Sequence, residues 1–111
     1  MNAAIQQREQ DVQKAIQDYL TIRGIFVFKV NNVGIYKKST GKYIKSQMPG
    51  IPDIVGLLPG GRFIAVEVKR PGGKLSPHQK KFIEKVKEKG GIGIVAYSLL
   101  ELIEKLKEVW G

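Results

Sequence analysis

The chain has 111 residues, 42% of them hydrophobic, with no cysteine and a single histidine. This length and apolar content predict one domain over residues 1–111. The lack of cysteine excludes disulfides, thiolate zinc sites and thiol nucleophiles, and the lone His78 excludes a histidine cluster, so any bound metal needs oxygen ligands. The sequence has neither a long apolar run nor a signal-peptide pattern. We therefore expect no membrane contact and a cytoplasmic location, in a bacterial cell or a phage-infected host.

Positive charge dominates the composition. Nineteen Lys and Arg oppose ten Asp and Glu, which gives a formal net charge of +9. Such an excess favours a polyanionic partner, above all nucleic acid, while a basic surface kept for solubility is the competing interpretation. The excess is concentrated between Gly24 and Pro52, where no acidic residue occurs. The residues of this segment that we expect to contact phosphates are Lys37, Lys38, Lys42 and Lys45.

The first half of the chain is predicted to contain one helix followed by strands. Apolar residues recur with a period near 3.6 over about residues 3–23, which predicts an amphipathic helix that ends at Gly24. The β-branched and aromatic run from Ile25 to Val30 predicts a strand. Residues 33–46 are typical either of two short strands around a Ser-Thr-Gly turn or of a mobile basic loop.

The second half is predicted to contain a hairpin, then a helix, a strand and a helix. Residues 52–70 predict two strands joined at Pro59-Gly60-Gly61. A helix of about thirteen residues then follows the N-cap Ser76, and the last helix starts with the capping box Ser98-x-x-Glu101. Because a helix separates the last two strands, at least one strand pairing is expected to be parallel. The predicted fold class is therefore α/β, with a mixed sheet flanked by helices.

The predicted hairpin carries the residues that point to chemistry. Side chains alternate along a strand, so Glu67 and Lys69 project together from one face of its end. An isolated pair of this kind is most often an exposed salt bridge. Here, however, Asp53 begins the partner strand, so the hairpin brings Asp53 and Glu67 together. Two adjacent carboxylates repel each other unless a divalent cation neutralises them, and Mg²⁺ takes such hard oxygen ligands.

Two further polar residues have competing interpretations. Glu9 lies on the apolar stripe of the first helix, so it either faces the same site as a third carboxylate or borders the stripe. Gln79 either closes a capping box with Ser76 or supports the site from the helix face that packs on the sheet, and the two roles are compatible. His78 lies at a different angle and is expected at the surface or against a phosphate.

These motifs resemble a known family. The stretch GIPDIVGLLPGGRFIAVEVKRPGGKLSPHQ is similar to the PD-(D/E)xK nucleases, specifically to their virus-type replication-repair nuclease (VRR-NUC) branch. The likeness covers nearly the whole chain and is weakest over residues 33–47. It implies a restriction-endonuclease-like core and the hydrolysis of DNA phosphodiesters with Mg²⁺ or Mn²⁺. The matching motifs are Pro52-Asp53, Glu67-x-Lys69, Arg70-Pro71-Gly72-Gly73 and Leu75-Ser76-x-x-Gln79, with Glu9 in the first helix.

The resemblance also implies roles for single residues. Lys69 is usually the base that activates water in such sites, but neighbouring carboxylates stabilise its ammonium form. We therefore favour Lys69 as a group that positions the water and stabilises charge. The implied catalytic residues are Glu9, Asp53, Glu67, Lys69 and Gln79; the implied metal ligands are Asp53, Glu67, the Val68 carbonyl and, at a second site or through water, Glu9; the further expected DNA contacts are Arg70 and Lys74.

The function that these expectations favour is that of a structure-selective endonuclease of DNA repair, acting on Holliday junction-like or branched DNA. The alternatives are a less selective flap or nick nuclease and a non-catalytic nucleic-acid-binding module, and the intact Asp53, Glu67 and Lys69 argue against the last. Two cuts on symmetry-related strands need two sites, so a homodimer is expected. The candidate interfaces are residues 33–44 and the apolar stripe of the C-terminal helix, above all Trp110.

Overall fold

The computed structural model describes residues 3–30, 35–44 and 48–111, so the predicted DNA contact Lys45 lies outside the described residues. None of the helices in these ranges is long and apolar enough to cross a membrane. The elements are α1 (Ala3–Ile22), β1 (Phe26–Lys29), β2 (Ile35–Lys37), β3 (Lys42–Ile44), β4 (Ile54–Leu57), β5 (Phe63–Val68), α2 (Pro77–Glu88), β6 (Ile92–Ala96) and α3 (Leu99–Val109).

Four strands form one mixed sheet in the order β1-β4-β5-β6. β4 pairs antiparallel with both β1 and β5, whereas β5 and β6 pair in parallel. The predicted hairpin turn joins β4 to β5, and Gly60 and Gly61 adopt φ values of 94° and 93° there, a region that favours glycine. The parallel pairing and the α/β class predicted from the sequence are thus confirmed.

The basic segment between β1 and β4 contains a second, two-stranded sheet. β2 and β3 pair antiparallel, with Ile35 opposite Ile44 and Lys37 opposite Lys42. Residues 38–41 form the turn between them. Of the two interpretations of this segment, the pair of short strands is therefore correct.

Helices cover both faces of the four-stranded sheet. α1 and α3 lie on one face, and α2 lies on the other face, over β5 and β6. β5 is consequently buried on both sides, because Ile64 and Val66 face α1 and α3 while Ala65 packs with the α2 residues Ile83 and Val86. A strand between two layers carries near-continuous apolar sequence, which makes the charged residue Glu67 at its end conspicuous.

The two C-terminal helices begin with hydroxyl caps. The Ser76 hydroxyl accepts the Gln79 N–H at 3.2 Å, and the reciprocal bond completes the predicted capping box. At α3 the Ser98 hydroxyl likewise accepts the Glu101 N–H at 3.1 Å. The Glu101 carboxylate, however, accepts the N–H of Tyr97 at 2.9 Å. The reciprocal hydrogen bond of this predicted capping box is therefore made to the N–H of Tyr97, the residue before the N-cap Ser98.

Trp110 corrects one sequence-based expectation. Its side chain is half-buried and packs against the core that α1 and α3 share, instead of standing free for an interface. The Arg23 guanidinium lies 5.0 Å from the centroid of the Trp110 ring and 5.8 Å from that of Tyr19, and it also donates to the Tyr19 hydroxyl at 2.8 Å. Cation–π attraction and core packing thus engage this ring within the chain.

Large apolar side chains remain exposed on the α2 side of the sheet, beyond the area that α2 covers. We name this set the open sheet face; its Phe26 and Phe28 rings have centroids 5.8 Å apart. The strand register places Phe26 beside Leu57 and Leu57 beside Phe63, so the set is contiguous across three strands. Its members and their exposed fractions are Phe26 (67%), Phe28 (48%), Leu57 (44%) and Phe63 (38%).

Candidate active site

Asp53 and Glu67 come together at the open end of the β4–β5 hairpin. The register pairs Ile54 with Val66, and its continuation by one residue places Asp53 opposite Glu67. Asp53 Oδ2 accepts the backbone N–H of Val68 at 3.0 Å, which fixes its carboxylate against β5. The convergence of two carboxylates expected from the hairpin is therefore present.

Glu67 is the charged residue that the fold buries most unfavourably. It is 3% exposed, and its Oε2 atom is buried without a hydrogen-bond partner among the described residues. Burial is the largest cause that raises the pKa of Glu67 from 4.5 to about 8, followed by the interaction with the nearby Asp53 carboxylate, while Lys69 lowers it. At neutral pH, burial therefore favours the protonated form of Glu67.

Lys69 lies beside this pair, not at an exposed strand edge. Its Nζ atom is 4.0 Å from Glu67 Oε1, and the Lys69 side chain is only 18% exposed. Its backbone N–H donates to the Ala96 carbonyl at 3.0 Å, which extends the parallel pairing past the end of β5. The exposed salt bridge that is usual for an isolated Glu-x-Lys pair is thus excluded, because both side chains are largely buried.

Gln79 performs both roles that its position allowed. The carbonyl end of its side chain accepts the Ser76 N–H at 2.8 Å and closes the capping box. The amide end donates from Nε2 to Glu67 Oε1 at 3.4 Å. One side chain therefore joins the first turn of α2 to the buried carboxylate.

Glu9 is placed differently from Asp53 and Glu67. Its Oε1 atom accepts the backbone N–H of Arg70 at 3.0 Å, so it links α1 to the loop after β5. Within the described ranges, no three His, Cys, Asp or Glu side chains lie close enough together to hold a metal ion. The role of Glu9 at a second site or through water therefore stays a prediction.

The loop after β5, residues 69–76, is tied down at several points. Gly73 donates to the Arg70 carbonyl at 2.9 Å, and the Tyr97 hydroxyl donates to the Gly73 carbonyl at 2.9 Å. Tyr97 was not among the predicted site residues. It directly follows β6, and because parallel strands end at the same edge of a sheet, its position after the last strand could have identified it.

The donor set at this edge fits Mg²⁺ or Mn²⁺. Asp53 and Glu67 supply hard carboxylate oxygens, and the Val68 carbonyl at the end of β5 is the backbone oxygen that the family resemblance implies as a further ligand. A cation would remove the repulsion that raises the pKa of Glu67 and would give the buried Oε2 atom a partner. A divalent cation would thus relieve both the repulsion between the carboxylates and the lack of a partner for Oε2.

Exposed basic side chains occur in the loop after β5 and on the β2–β3 hairpin. Arg70 and Lys74 are exposed in the loop after β5, and His78 is exposed on α2 as expected. On the β2–β3 hairpin, Lys38 and Lys42 are exposed, and the register sets Lys42 directly opposite Lys37.

Comparisons with known proteins agree on the family. The family model of the VRR-NUC domain matches residues 7–99. A solved structure described as a VRR_NUC domain has 28% sequence identity and a TM-score of 0.65, covering 94% of this chain and 98% of that one. Another, described as a VRR_NUC domain protein, has 19% identity and a TM-score of 0.61 over 91% of this chain and 86% of that one, a likeness of fold. The search of curated proteins gave no match.

Proposed function

This chain belongs to the VRR-NUC domain family, and we propose that it is a metal-dependent DNA endonuclease. Its family makes it a nuclease-type domain, for which DNA is the expected substrate. The observation that carries the proposal is the buried Glu67 opposite Asp53, with a pKa raised to about 8. Burying a carboxylate beside another carboxylate costs stability, and the cost is understandable where the pair binds a cation that the reaction needs.

Asp53 and Glu67 would hold Mg²⁺ or Mn²⁺ with the Val68 carbonyl. When bound, the cation supplies a Lewis acid for the scissile phosphate and lowers the pKa of the attacking water. Lys69 would position that water and stabilise the negative charge that develops on the phosphate, since its Nζ lies 4.0 Å from Glu67 Oε1. The Gln79 amide would hold the Glu67 carboxylate in one orientation, because its other end is fixed by the helix cap.

The DNA backbone would approach along the basic residues of the chain. Phosphate contacts supply most of the non-specific affinity for DNA and require Lys and Arg on an accessible surface. Exposed cations occur both in the loop after β5 and on the β2–β3 hairpin. The residues that we assign to these contacts are Lys37, Lys38, Lys42, Lys45, Arg70 and Lys74.

For the substrate, we favour branched DNA, with Holliday junction-like DNA cut by a homodimer in the cytoplasm. One domain carries one site, whereas resolving a four-way junction takes two cuts related by two-fold symmetry. The occupant that we assign to the open sheet face is a second copy of this chain. In support, β1 is an edge strand of the sheet, and its Phe26 and Phe28 carry most of the exposed apolar surface there.

The test uses labelled four-way junction, flap, nicked and linear duplex DNA with Mg²⁺, Mn²⁺, Ca²⁺ or EDTA. We expect cleavage of branched DNA with Mg²⁺ or Mn²⁺ and none with EDTA. Asp53→Ala and Glu67→Ala should abolish cleavage while DNA binding survives or tightens, since each change removes a ligand and a negative charge. Glu84→Ala, an equal charge change on the exposed side of α2, is the control. Near-normal cleavage by folded Glu67→Ala would contradict the proposal, and equal cutting of all substrates would favour the less selective nuclease.

A further inference from the structure

A cavity of about 200 Å³ opens beside Lys69, on the side of the sheet edge that faces α1. It lies where the parallel strands β5 and β6 end, the edge at which ligands bind in open α/β sheets. The volume gives room for one nucleobase. Its lining comes from α1, the loop after β5 and the residue after β6, and consists of Arg8, Glu9, Val12, Lys69, Arg70, Pro71 and Tyr97.

The lining combines the three kinds of group that hold one nucleotide. Arg8, Lys69 and Arg70 are cations, whereas Val12, Pro71 and the Tyr97 ring supply apolar and aromatic surface. Glu9 is the carboxylate in this lining, and its Oε1 atom already accepts the Arg70 N–H. A carboxylate disfavours phosphate next to itself, so the part beside Glu9 suits a neutral base with N–H donors and the cationic rim suits the phosphate.

We propose that this cavity binds a single unpaired nucleotide of the DNA next to the scissile phosphate, with its base against Tyr97 and its phosphate against Arg8. This inference rests on the proposed function, because it places the nucleotide beside Lys69. The Tyr97 hydroxyl donates to the Gly73 carbonyl at 2.9 Å, so the ring is held before a base arrives. Stacking on a fixed aromatic ring is the usual way that proteins hold an unpaired base without reading its sequence.

The cavity also gives a physical origin for selectivity towards branched DNA. Taking a base out of a continuous duplex costs unstacking and unpairing energy, and the cost is least where the base is already unpaired. A junction or flap offers such a base at the branch point, whereas linear duplex does not. Occupation of the cavity would therefore place the branch point, and not an interior base pair, next to Asp53 and Glu67.

Binding to the cavity can be measured without metal and without cleavage. The probes are dCMP, dAMP, deoxycytidine and inorganic phosphate, titrated in EDTA into isotope-labelled protein while NMR signals of the Val12 methyls and the Arg8 side-chain Nε–H are followed. We expect both nucleotides to shift both sets of signals, and inorganic phosphate to shift the Arg8 signal alone. Absence of any nucleotide-induced shift at Val12, or an equal shift with inorganic phosphate, would overturn the proposal. Because this readout needs no cleavage, it stands apart from any failure of the nuclease assay.

Variants at Tyr97 separate stacking from loop anchoring. Tyr97→Leu keeps apolar bulk without an aromatic face and should weaken dCMP binding roughly tenfold. Tyr97→Phe keeps the ring, loses the bond to Gly73 and should stay within about threefold of wild type. If Tyr97→Phe weakens binding as much as Tyr97→Leu, the residue acts only through the loop and the proposal fails.

Variants on α1 test the phosphate end. Arg8→Ala should weaken dCMP binding several-fold and leave deoxycytidine binding unchanged, since only the nucleotide carries phosphate. Lys14→Ala, an equal charge loss on an exposed part of α1, should change neither. In a Glu67→Gln background that cannot cleave, Tyr97→Leu should also lower the ratio of flap to duplex affinity. An unchanged ratio would overturn the role in selectivity.

Discussion

Gln79 and Glu67 are joined by a hydrogen bond of 3.4 Å, and the same Gln79 side chain accepts the backbone N–H of Ser76, the N-cap of α2. The helix start and the buried carboxylate therefore share one side chain. Since the capping box fixes the carbonyl end of Gln79, the amide end has little freedom to leave Glu67. Substitutions of Gln79 and of Ser76 should therefore affect cleavage and the stability of α2 to different extents.

Gln79→Glu should impair cleavage without unfolding α2. Glutamate is also a good partner in a capping box, so Ser76 keeps its acceptor. The new carboxylate, however, removes the N–H donor to Glu67 and adds a like charge beside it, and we expect cleavage to fall at least tenfold. Ser76→Ala is the matched control: it removes the hydroxyl cap at a cost of about 1 kcal/mol and leaves the Glu67 contact in place. Assays of cleavage and urea unfolding on both variants check this, and a larger cleavage loss in Ser76→Ala would contradict it.

Gly50 should be among the least replaceable glycines near the site. Its φ is +82°, and a Cβ atom there would collide with the His78 carbonyl and lie 2.7 Å from the Gln79 backbone nitrogen. Gly72 has the same φ with nothing within 4 Å of its Cβ position. Gly72→Ala should therefore cost about 1 kcal/mol of backbone strain alone, whereas Gly50→Ala should cost roughly 2 kcal/mol more and lower cleavage. Thermal unfolding of the two variants, side by side, decides; equal losses would show that Gly50 makes no close approach to α2.

The raised pKa of Glu67 should make the metal-free protein less stable as pH rises. Between pH 4.5 and about 8, folded Glu67 keeps a proton that it loses on unfolding, so stability is highest below this window and falls across it. The full effect is on the order of a few kcal/mol. Glu67→Gln lacks this titration, so in EDTA its stability relative to wild type should increase from pH 5 to pH 8. A difference that does not change with pH would contradict the assignment.

Mg²⁺ should offset the loss of folding stability that accompanies rising pH. Because the cation competes with the proton for the two carboxylates, its stabilisation of wild type should grow as pH rises from 6 to 8. Glu67→Gln should show little stabilisation at any pH. Differential scanning fluorimetry with Mg²⁺ and with EDTA measures both.

The β4–β5 hairpin and the proximity of Asp53 and Glu67 were predictable from local sequence. The Gly60-Gly61 turn sets the register of the two strands, and the register determines which residues lie opposite each other. The burial of Glu67 was not predictable in the same way, since it depends on α2 packing over β5. The Arg70 contact of Glu9 spans 61 residues and joins a backbone N–H to a side chain, which no periodicity encodes. The predicted interface role of Trp110 was wrong for a similar reason, because its partner Arg23 is distant in the sequence.

The β2–β3 hairpin should carry part of the salt dependence of DNA binding. Lys38 and Lys42 are exposed on it. Removing both should reduce the slope of log K against log salt, by about 0.9 for each lost phosphate contact on duplex DNA. A Lys14→Ala, Lys107→Ala double variant removes the same charge from exposed helix positions and should leave the slope nearly unchanged. Fluorescence anisotropy over a salt series measures the slopes, and equal slopes for wild type and the hairpin variant would place the hairpin away from DNA.

Association through the open sheet face should double the mass in solution. Wild type should scatter light at micromolar concentration as about twice 12.4 kDa. Phe28→Glu should restore the monomer mass, because it places a carboxylate in the middle of an apolar interface. The matched control is Leu100→Glu on α3, since Leu100 is 71% exposed outside this face and its replacement should leave the dimer intact.

The same variants connect the dimer to junction cleavage. A dimer holds two sites, so wild type should make both cuts in a cruciform plasmid within one binding event and linearise it. Monomeric Phe28→Glu keeps Asp53, Glu67 and Lys69, so it should still nick, but its nicks should accumulate singly as open circles. If wild type is a monomer, or if Phe28→Glu linearises the plasmid as wild type does, the open sheet face is not the interface that resolves junctions. Linear products from Leu100→Glu, beside open circles from Phe28→Glu, would show that the loss of paired cuts follows from the position of the charge and not from its addition.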